Sequence, residues 1–193
     1  MSQAVFDKCM GLAKDYCWSV TLGGGEPTLH PQLLAWTMQA ALATIECSMD
    51  MDSPAVMVIT NGKLTEPAIK LAKLAHLGTI AAEVSQDPWH DEIDSRVVEE
   101  FTRYNKGYGH AQYGHTNKGY ASTRDVSKGV QNAGRAAKNG LGKNGGCCCE
   151  AIFVTPNGDF YQCGCRKTRL GNILTDGIPQ AALEHVGDCE RNH

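Results

Sequence analysis

Ser19-Val20-Thr21-Leu22-Gly23-Gly24-Gly25-Glu26-Pro27-Thr28-Leu29-His30-Pro31 is the stretch on which the rest of the chain turns. Ser19 to Leu22 alternate as a short strand does, and three glycines then remove every Cβ where the backbone must turn sharply or approach a ligand. Pro31 stands where a first helical turn accepts proline, and Leu33, Leu34, Trp36, Met38, Ala41, Leu42 and Ile45 follow at roughly helical spacing. The unit reads as strand, glycine loop, helix. Such a loop leaves backbone N–H and C=O groups directed outward, able to hold a carboxylate, an ammonium or a phosphate. It is not a Walker loop, because no Lys-Ser/Thr pair follows, nor the dinucleotide fingerprint, because the glycines are contiguous. A tight turn without a ligand accounts for the same three glycines.

The same grammar repeats downstream. Val56-Met57-Val58-Ile59 reads as a buried strand, Thr60-Asn61-Gly62 as its turn, and Pro67 to Leu77 as a helix closed by Gly78. Ile80 to Val84 is a third strand running into Ser85-Gln86-Asp87, and a helix covers about Ser95 to Tyr104. Upstream, residues 3 to 16 form an amphipathic helix with Val5, Phe6, Cys9, Leu12, Ala13 and Tyr16 on one face. Strands and helices that alternate through connections this short predict α/β architecture with parallel strands. In that architecture ligands sit beyond the carboxyl ends of the strands, where the glycine loop, Thr60-Asn61 and Ser85-Gln86-Asp87 would converge.

Residues 105 to 146 abandon the pattern. Asn105-Lys106-Gly107-Tyr108 recurs as Asn117-Lys118-Gly119-Tyr120, and Tyr108-Gly109-His110 recurs as Tyr113-Gly114-His115. The net charge of -3 hides a division: residues 1 to 102 carry fourteen acids and six bases, whereas residues 103 to 146 carry eight bases and one acid. A basic, tyrosine-bearing segment of this kind can track a phosphate backbone while its rings stack on bases, so nucleic acid is one partner to consider for residues 103–146. A solvated excursion is the other reading.

Nine cysteines, at 9, 17, 47, 147, 148, 149, 163, 165 and 189, are many for 193 residues. The N-terminus lacks the basic flank and apolar core of a signal peptide, and no stretch approaches the ~18 apolar residues of a membrane span. A cytoplasmic protein without a membrane role is therefore expected, and in a reducing compartment the clustered thiols favour a metal over disulfides. Cys9, Cys17 and Cys47 stand apart in apolar surroundings and read as small core residues. At the C-terminal end Ala151 to Thr155 and Phe160 to Cys163 read as a hairpin about Pro156-Asn157-Gly158-Asp159, followed by a short helix from Gln180 to His185. The chain divides into an α/β core, 1–104, a basic Gly/Tyr-rich segment returning to that core, 105–146, and a cysteine-rich region, 147–193. His30 and Asp91 suit helix starts, His90 carries no stronger role, and Trp18, Trp36 and Trp89 read as core or rim aromatics.

Taken together, these residues resemble the radical S-adenosylmethionine enzymes. The resemblance rests on Gly24-Gly25-Glu26-Pro27 with Thr28-Leu29-His30-Pro31, on Ile59-Thr60-Asn61-Gly62, on Ser85-Gln86-Asp87 with His90-Asp91, and on Gly134-Arg135-Ala136. The hairpin, with nine residues between Cys148 and Gly158 and four between Gly158 and Cys163, is similar to the opening of the auxiliary-cluster region called SPASM or twitch, and Leu170-Gly171-Asn172-Ile173 is usual there. The resemblance implies an incomplete parallel (βα) partial barrel with a small cysteine-rich hairpin and helix extension. It implies S-adenosylmethionine held by Gly24, Gly25, Glu26, Pro27, Asn61, Ser85 and Asp87. It also implies a [4Fe–4S] cluster or a tetrahedral Zn²⁺ at Cys148, Cys163, Cys165 and Cys189, with Cys147 and Cys149 as substitutes because three adjacent cysteines cannot all face one ion without strain. Free thiols remain the alternative.

One departure is decisive. The family's Cys-x3-Cys-x2-Cys cluster loop should precede the first helix, and no cysteines here have that spacing. The expectation is a radical SAM-like protein lacking the first strand and its cluster loop, without autonomous radical chemistry. A protein partner would cover the exposed sheet edge. Two alternatives accompany it: a non-catalytic binding or inhibitory protein on the same scaffold, and one subunit of a split enzyme that modifies a peptide or protein.

Overall fold

Along β2 (Val56–Thr60) every second side chain, Val56, Val58 and Thr60, is buried, and along β3 (Ala81–Gln86) Ala82 and Val84 are. This period of two marks strands more heavily covered on one face than on the other. We describe these elements in a computed structural model for residues 1–51, 53–86, 92–103, 120–125, 152–162, 164, 166 and 168–177. The remaining elements are α1 (Gln3–Asp15), β1 (Val20–Leu22), a 3₁₀ turn (Pro27–Leu29), α2 (Leu33–Ala43), α3 (Ile45–Met51), α4 (Thr65–His76), α5 (Ser95–Thr102), β4 (Ala121–Asp125), β5 (Phe153–Val154), β6 (Asp159–Tyr161) and β7 (Arg169–Asn172). They fall into two compact units, one drawn from Leu12–Ser127 and the other from Met1–Gly11 with Lys128–His193.

The first unit is an α/β layer. Its four strands are parallel and lie in the order β1-β2-β3-β4, each beside its predecessor with no reversal. Leu22 pairs with Val58, Thr60 with Val84, and Ser85 with Arg124, so the carboxyl ends of all four strands share one edge. Helices pack on the sheet through small and branched residues: Ala68, Leu71, Ala72 and Ala75 of α4, Val97 and Phe101 of α5, and Leu33, Trp36 and Ala40 of α2 are all buried. Met57, Ile59, Ala81, Glu83 and Ser85, on the alternate face of β2 and β3, stay half-exposed. Among the described residues β1 has a strand partner on one side only.

Strand β4 lies within residues 105–146, where the sequence showed no strand pattern. Ala121 to Asp125 is too short and too polar to show alternation, and its strand character comes from pairing with β3 rather than from propensity. The second unit confirms the hairpin and adds a third antiparallel strand, β7, beside β6. Thr155 N–H donates to Asp159 O at 2.8 Å and Gly158 N–H to Thr155 O at 3.0 Å, closing the turn, while Arg169 Nη2 meets Asp159 Oδ1 at 2.6 Å.

Cys17 and Cys47 require a correction: they are joined as a disulfide, not isolated in the core, with Cα atoms 5.3 Å apart. The reason lies at the end of α1. Trp18 N–H donates to Ala13 O and Cys17 N–H to Lys14 O, a Schellman closure that places Cys17 at φ 52, where glycine is usual. A side chain there costs about 1 kcal/mol, and the bond to Cys47 offsets it. Cys9 remains a free, half-buried cysteine, and burial pushes its thiol up to about 11.

At the start of α5 the Asp94 carboxylate accepts from Arg96 N–H at 2.9 Å, from the Arg96 guanidinium at 2.7 Å and from Thr65 Oγ1 at 3.3 Å, linking the first turns of α5 and α4. Its hydrogen bonds to Arg96 hold it down at about 2.

Two outcomes follow. Cys17→Gly should stabilise the reduced protein by about 1 kcal/mol and destabilise the oxidised protein by about 3 kcal/mol; urea midpoints with and without reductant would show the reversal, and one sign under both conditions would contradict it. Because the folded pKa of Asp94 is depressed, its contribution is present above about pH 4 and fades as pH falls toward 2. The midpoint difference between wild type and Asp94→Asn should therefore be larger at pH 6 than at pH 2.5.

Candidate functional site

The glycine loop is held to the neighbouring strand by one carboxylate. Glu26 Oε1 accepts from Thr28 N–H at 3.0 Å, Thr28 Oγ1 at 2.5 Å and Thr60 Oγ1 at 2.6 Å, while Oε2 accepts from Asn61 N–H at 2.7 Å. All four donors belong to buried or half-buried residues and would be costly to leave unmatched. Thr60 in turn accepts from Gly62 N–H at 3.0 Å, so the turn after β2 and the turn after β1 form one hydrogen-bonded piece. A carboxylate offers about four acceptor positions. Among the described residues Oε1 is fully engaged, and Oε2 keeps one position for a further donor such as an ammonium or hydroxyl.

The glycines divide into two kinds. Gly62, at φ 73, has no room: a Cβ would lie 2.9 Å from Val84 Cγ2 and 3.0 Å from Ile93 Cγ2. Gly24 (φ 84) and Gly25 (φ 56) also need the left-handed region, yet a Cβ on either would meet nothing within 4 Å. Packing dictates the first; backbone shape alone dictates the other two. Among the described residues no hydrogen bond engages the backbone of Gly23, Gly24 or Gly25, all three exposed. Their N–H and C=O groups stand open beside the carboxyl edge of the sheet.

The structure joins Glu26, Pro27 and Asn61 in one cluster. Glu26 caps the Pro27–Leu29 turn, and the Asn61 amide oxygen accepts from Lys63 N–H at 2.9 Å, so that side chain shapes its own turn. Ser85 lies one residue beyond Val84, the register partner of Thr60, on the half-exposed face of β3. Two residues back on that face is Glu83, which accepts from Ser122 Oγ of β4 at 3.5 Å. His30 is structural as expected, its ring stacked on Trp36 with centroids 4.2 Å apart.

Several expectations lie outside the described residues: Asp87, Trp89, His90 and Asp91, the tyrosine repeats apart from Tyr120, Gly134-Arg135-Ala136, the Gln180 to His185 helix, and all six clustered thiols at 147, 148, 149, 163, 165 and 189. Among the described residues no group of three His, Cys, Asp or Glu is placed to hold a metal, and no helix is long and apolar enough to cross a membrane.

Glu83 was not singled out by sequence reasoning, and Thr28 and Thr60 entered it only within the Thr28-Leu29-His30-Pro31 and Thr60-Asn61 stretches, with no role of their own. The threonines are visible only as neighbours of Glu26 and Asn61, whereas Glu83 carried a signal: an acid between Ala82 and Val84 occupies the opposite face of a strand whose buried side is apolar. No protein-family model matches the chain, and neither the curated proteins nor the solved structures contain a match.

Glu26→Gln keeps the shape but replaces one acceptor oxygen with a donor. It should lower the unfolding free energy by about 1–3 kcal/mol and speed hydrogen exchange at the Asn61 amide. A variant with wild-type urea midpoint and wild-type exchange at Asn61 would show that the carboxylate holds nothing.

Proposed function

We propose that the chain is a radical S-adenosylmethionine-type scaffold that binds an adenosyl ligand but performs no radical chemistry by itself. In this reading the parallel sheet is a segment of a partial (βα) barrel, and its strand-end groups, Gly24, Gly25, Glu26, Pro27, Asn61, Ser85 and Asp87, form the ligand cradle. The observation that carries it is the pairing of an anchored loop with a free backbone: Glu26 ties the loop to β2, and the exposed Gly24-Gly25 peptide groups are left to meet a ligand. An α-amino group finds carbonyl oxygens there and the remaining acceptor position of Glu26, and a carboxylate finds N–H groups.

In the family the electron that cleaves the sulfonium comes from a [4Fe–4S] cluster. The thiolate spacing that holds it is not found among these nine cysteines. A cluster supplied from outside these 193 residues, by a partner that adds a strand beside β1, would make the pair an enzyme acting on a peptide or protein. A second reading, a non-catalytic binding protein, draws on the same short strand, which among the described residues has one edge without a strand partner and so suits β-augmentation. The C-terminal thiols, Cys148, Cys163, Cys165 and Cys189, with Cys147 and Cys149 as substitutes, are proposed ligands for a [4Fe–4S] cluster or Zn²⁺. Residues 103–146 keep nucleic acid as a proposed partner. The cytoplasm is the proposed location; metal-binding thiols need a reducing compartment, whereas the Cys17–Cys47 disulfide belongs to an oxidising one, so the oxidation state of that pair in protein from the native host decides the point.

Calorimetric titration with S-adenosylmethionine tests the cradle. Binding with a Kd below about 1 mM, abolished by Gly24→Val, is expected. Absence of heat at millimolar ligand, or equal binding by the variant, would remove the reading.

A further inference from the structure

Helices α2 and α3 run almost continuously from Leu33 to Met51, since Thr44 N–H donates to Ala40 O at 3.0 Å and Ser48 N–H to Thr44 O at 2.9 Å across the joint. One side is the core side: Leu33, Trp36, Thr37, Ala40, Ala41, Thr44 and Cys47 are buried. The opposite side should then be polar, as on an ordinary surface helix. It is not. Met38, Leu42, Ile45 and Met49 recur there at intervals of four, three and four, one stripe down the outer face, with Leu42 66% and Met49 75% exposed. Four such side chains in a row present a strip on the order of a few hundred Å², about the size of the largest apolar patch on a typical monomer, which is often functional.

Charge says what covers it. Glu46 and Asp50 stand one helical turn apart along one border of the stripe, both exposed, and from Asp15 to Gly62 the chain has no Lys or Arg at all. A second copy of the chain would bring only acids to the border of this face, a like-charge contact that disfavours self-pairing. An apolar helix face flanked by Lys or Arg meets both features, its leucines on the stripe and its cations along Glu46 and Asp50. Two of the four stripe residues are methionines, which adapt to varied apolar partners. We propose that the outer face of α2–α3 is a docking site for a basic amphipathic helix of a protein partner, independent of the ligand cradle.

The test uses the full chain and a fluorescein-labelled synthetic peptide of about 18 residues, with leucines on one helical face and lysines at its borders, beside a counterpart with glutamates in place of the lysines. Fluorescence anisotropy should show the lysine peptide binding wild type, a loss of about tenfold or more in affinity for Leu42→Glu and for Met49→Gln, and a switch of preference to the glutamate peptide in Glu46→Lys/Asp50→Lys. No binding of the lysine peptide, binding indifferent to these substitutions, or a wild-type dimer that Leu42→Glu dissolves in sedimentation would each overturn the proposal. So would failure of Leu42→Glu and Met49→Gln to fold by circular dichroism, since both residues would then belong to the core.

Discussion

One carboxylate carries the architecture of the site. Glu26 gathers four donors from two turns that are more than thirty residues apart in the chain, and each donor is a group that burial makes expensive to leave unmatched. The consequence is geometric. With Thr28, Thr60 and Asn61 fixed to the same side chain, the loop after β1 cannot drift relative to the end of β2. The backbone groups of Gly23, Gly24 and Gly25 stay exposed and unengaged among the described residues. A rigid frame around an open peptide segment suits binding better than it suits a mere connection, because the ordering cost is met before a ligand arrives.

The parallel sheet gives that frame its place. Sequential strand order brings every carboxyl end to one edge, and the half-exposed face below it carries Glu83 and Ser122 from neighbouring strands. Those polar groups share the sheet face with Met57 and Ile59, which makes its surface mixed in polarity. The outer, helical side of the same layer is built on the opposite logic. Its core residues are tightly buried, while α2–α3 keeps a second apolar stripe exposed.

Much of this was legible in the chain. The strands at Val20, Val56 and Ala81, the helices between them and the hairpin about Asn157-Gly158 follow from period and turn chemistry, and so does the grouping of Glu26 with Asn61 at one sheet edge. Strand β4 was not legible, because five residues of mixed polarity become a strand only when β3 offers its edge. The pairing of Cys17 with Cys47 was hidden for a related reason: thirty residues separate them, and only the left-handed turn at the end of α1 brings the first thiol toward α3. The inward use of Glu26 was missed as well. Its sequence neighbours suggest a residue offered to a ligand, whereas most of its hydrogen-bonding capacity is spent on its own fold.

In the function proposed above, a Glu26-locked loop presents the Gly24-Gly25 backbone to an adenosyl ligand. The most direct measurement follows backbone amide resonances during titration with S-adenosylmethionine. The account predicts shifts concentrated at Gly24 and Gly25, while the Asn61 amide, bonded to Glu26 throughout, stays protected from exchange with and without ligand. Shifts confined to other regions, or an Asn61 amide that exchanges freely in the unliganded protein, would contradict it.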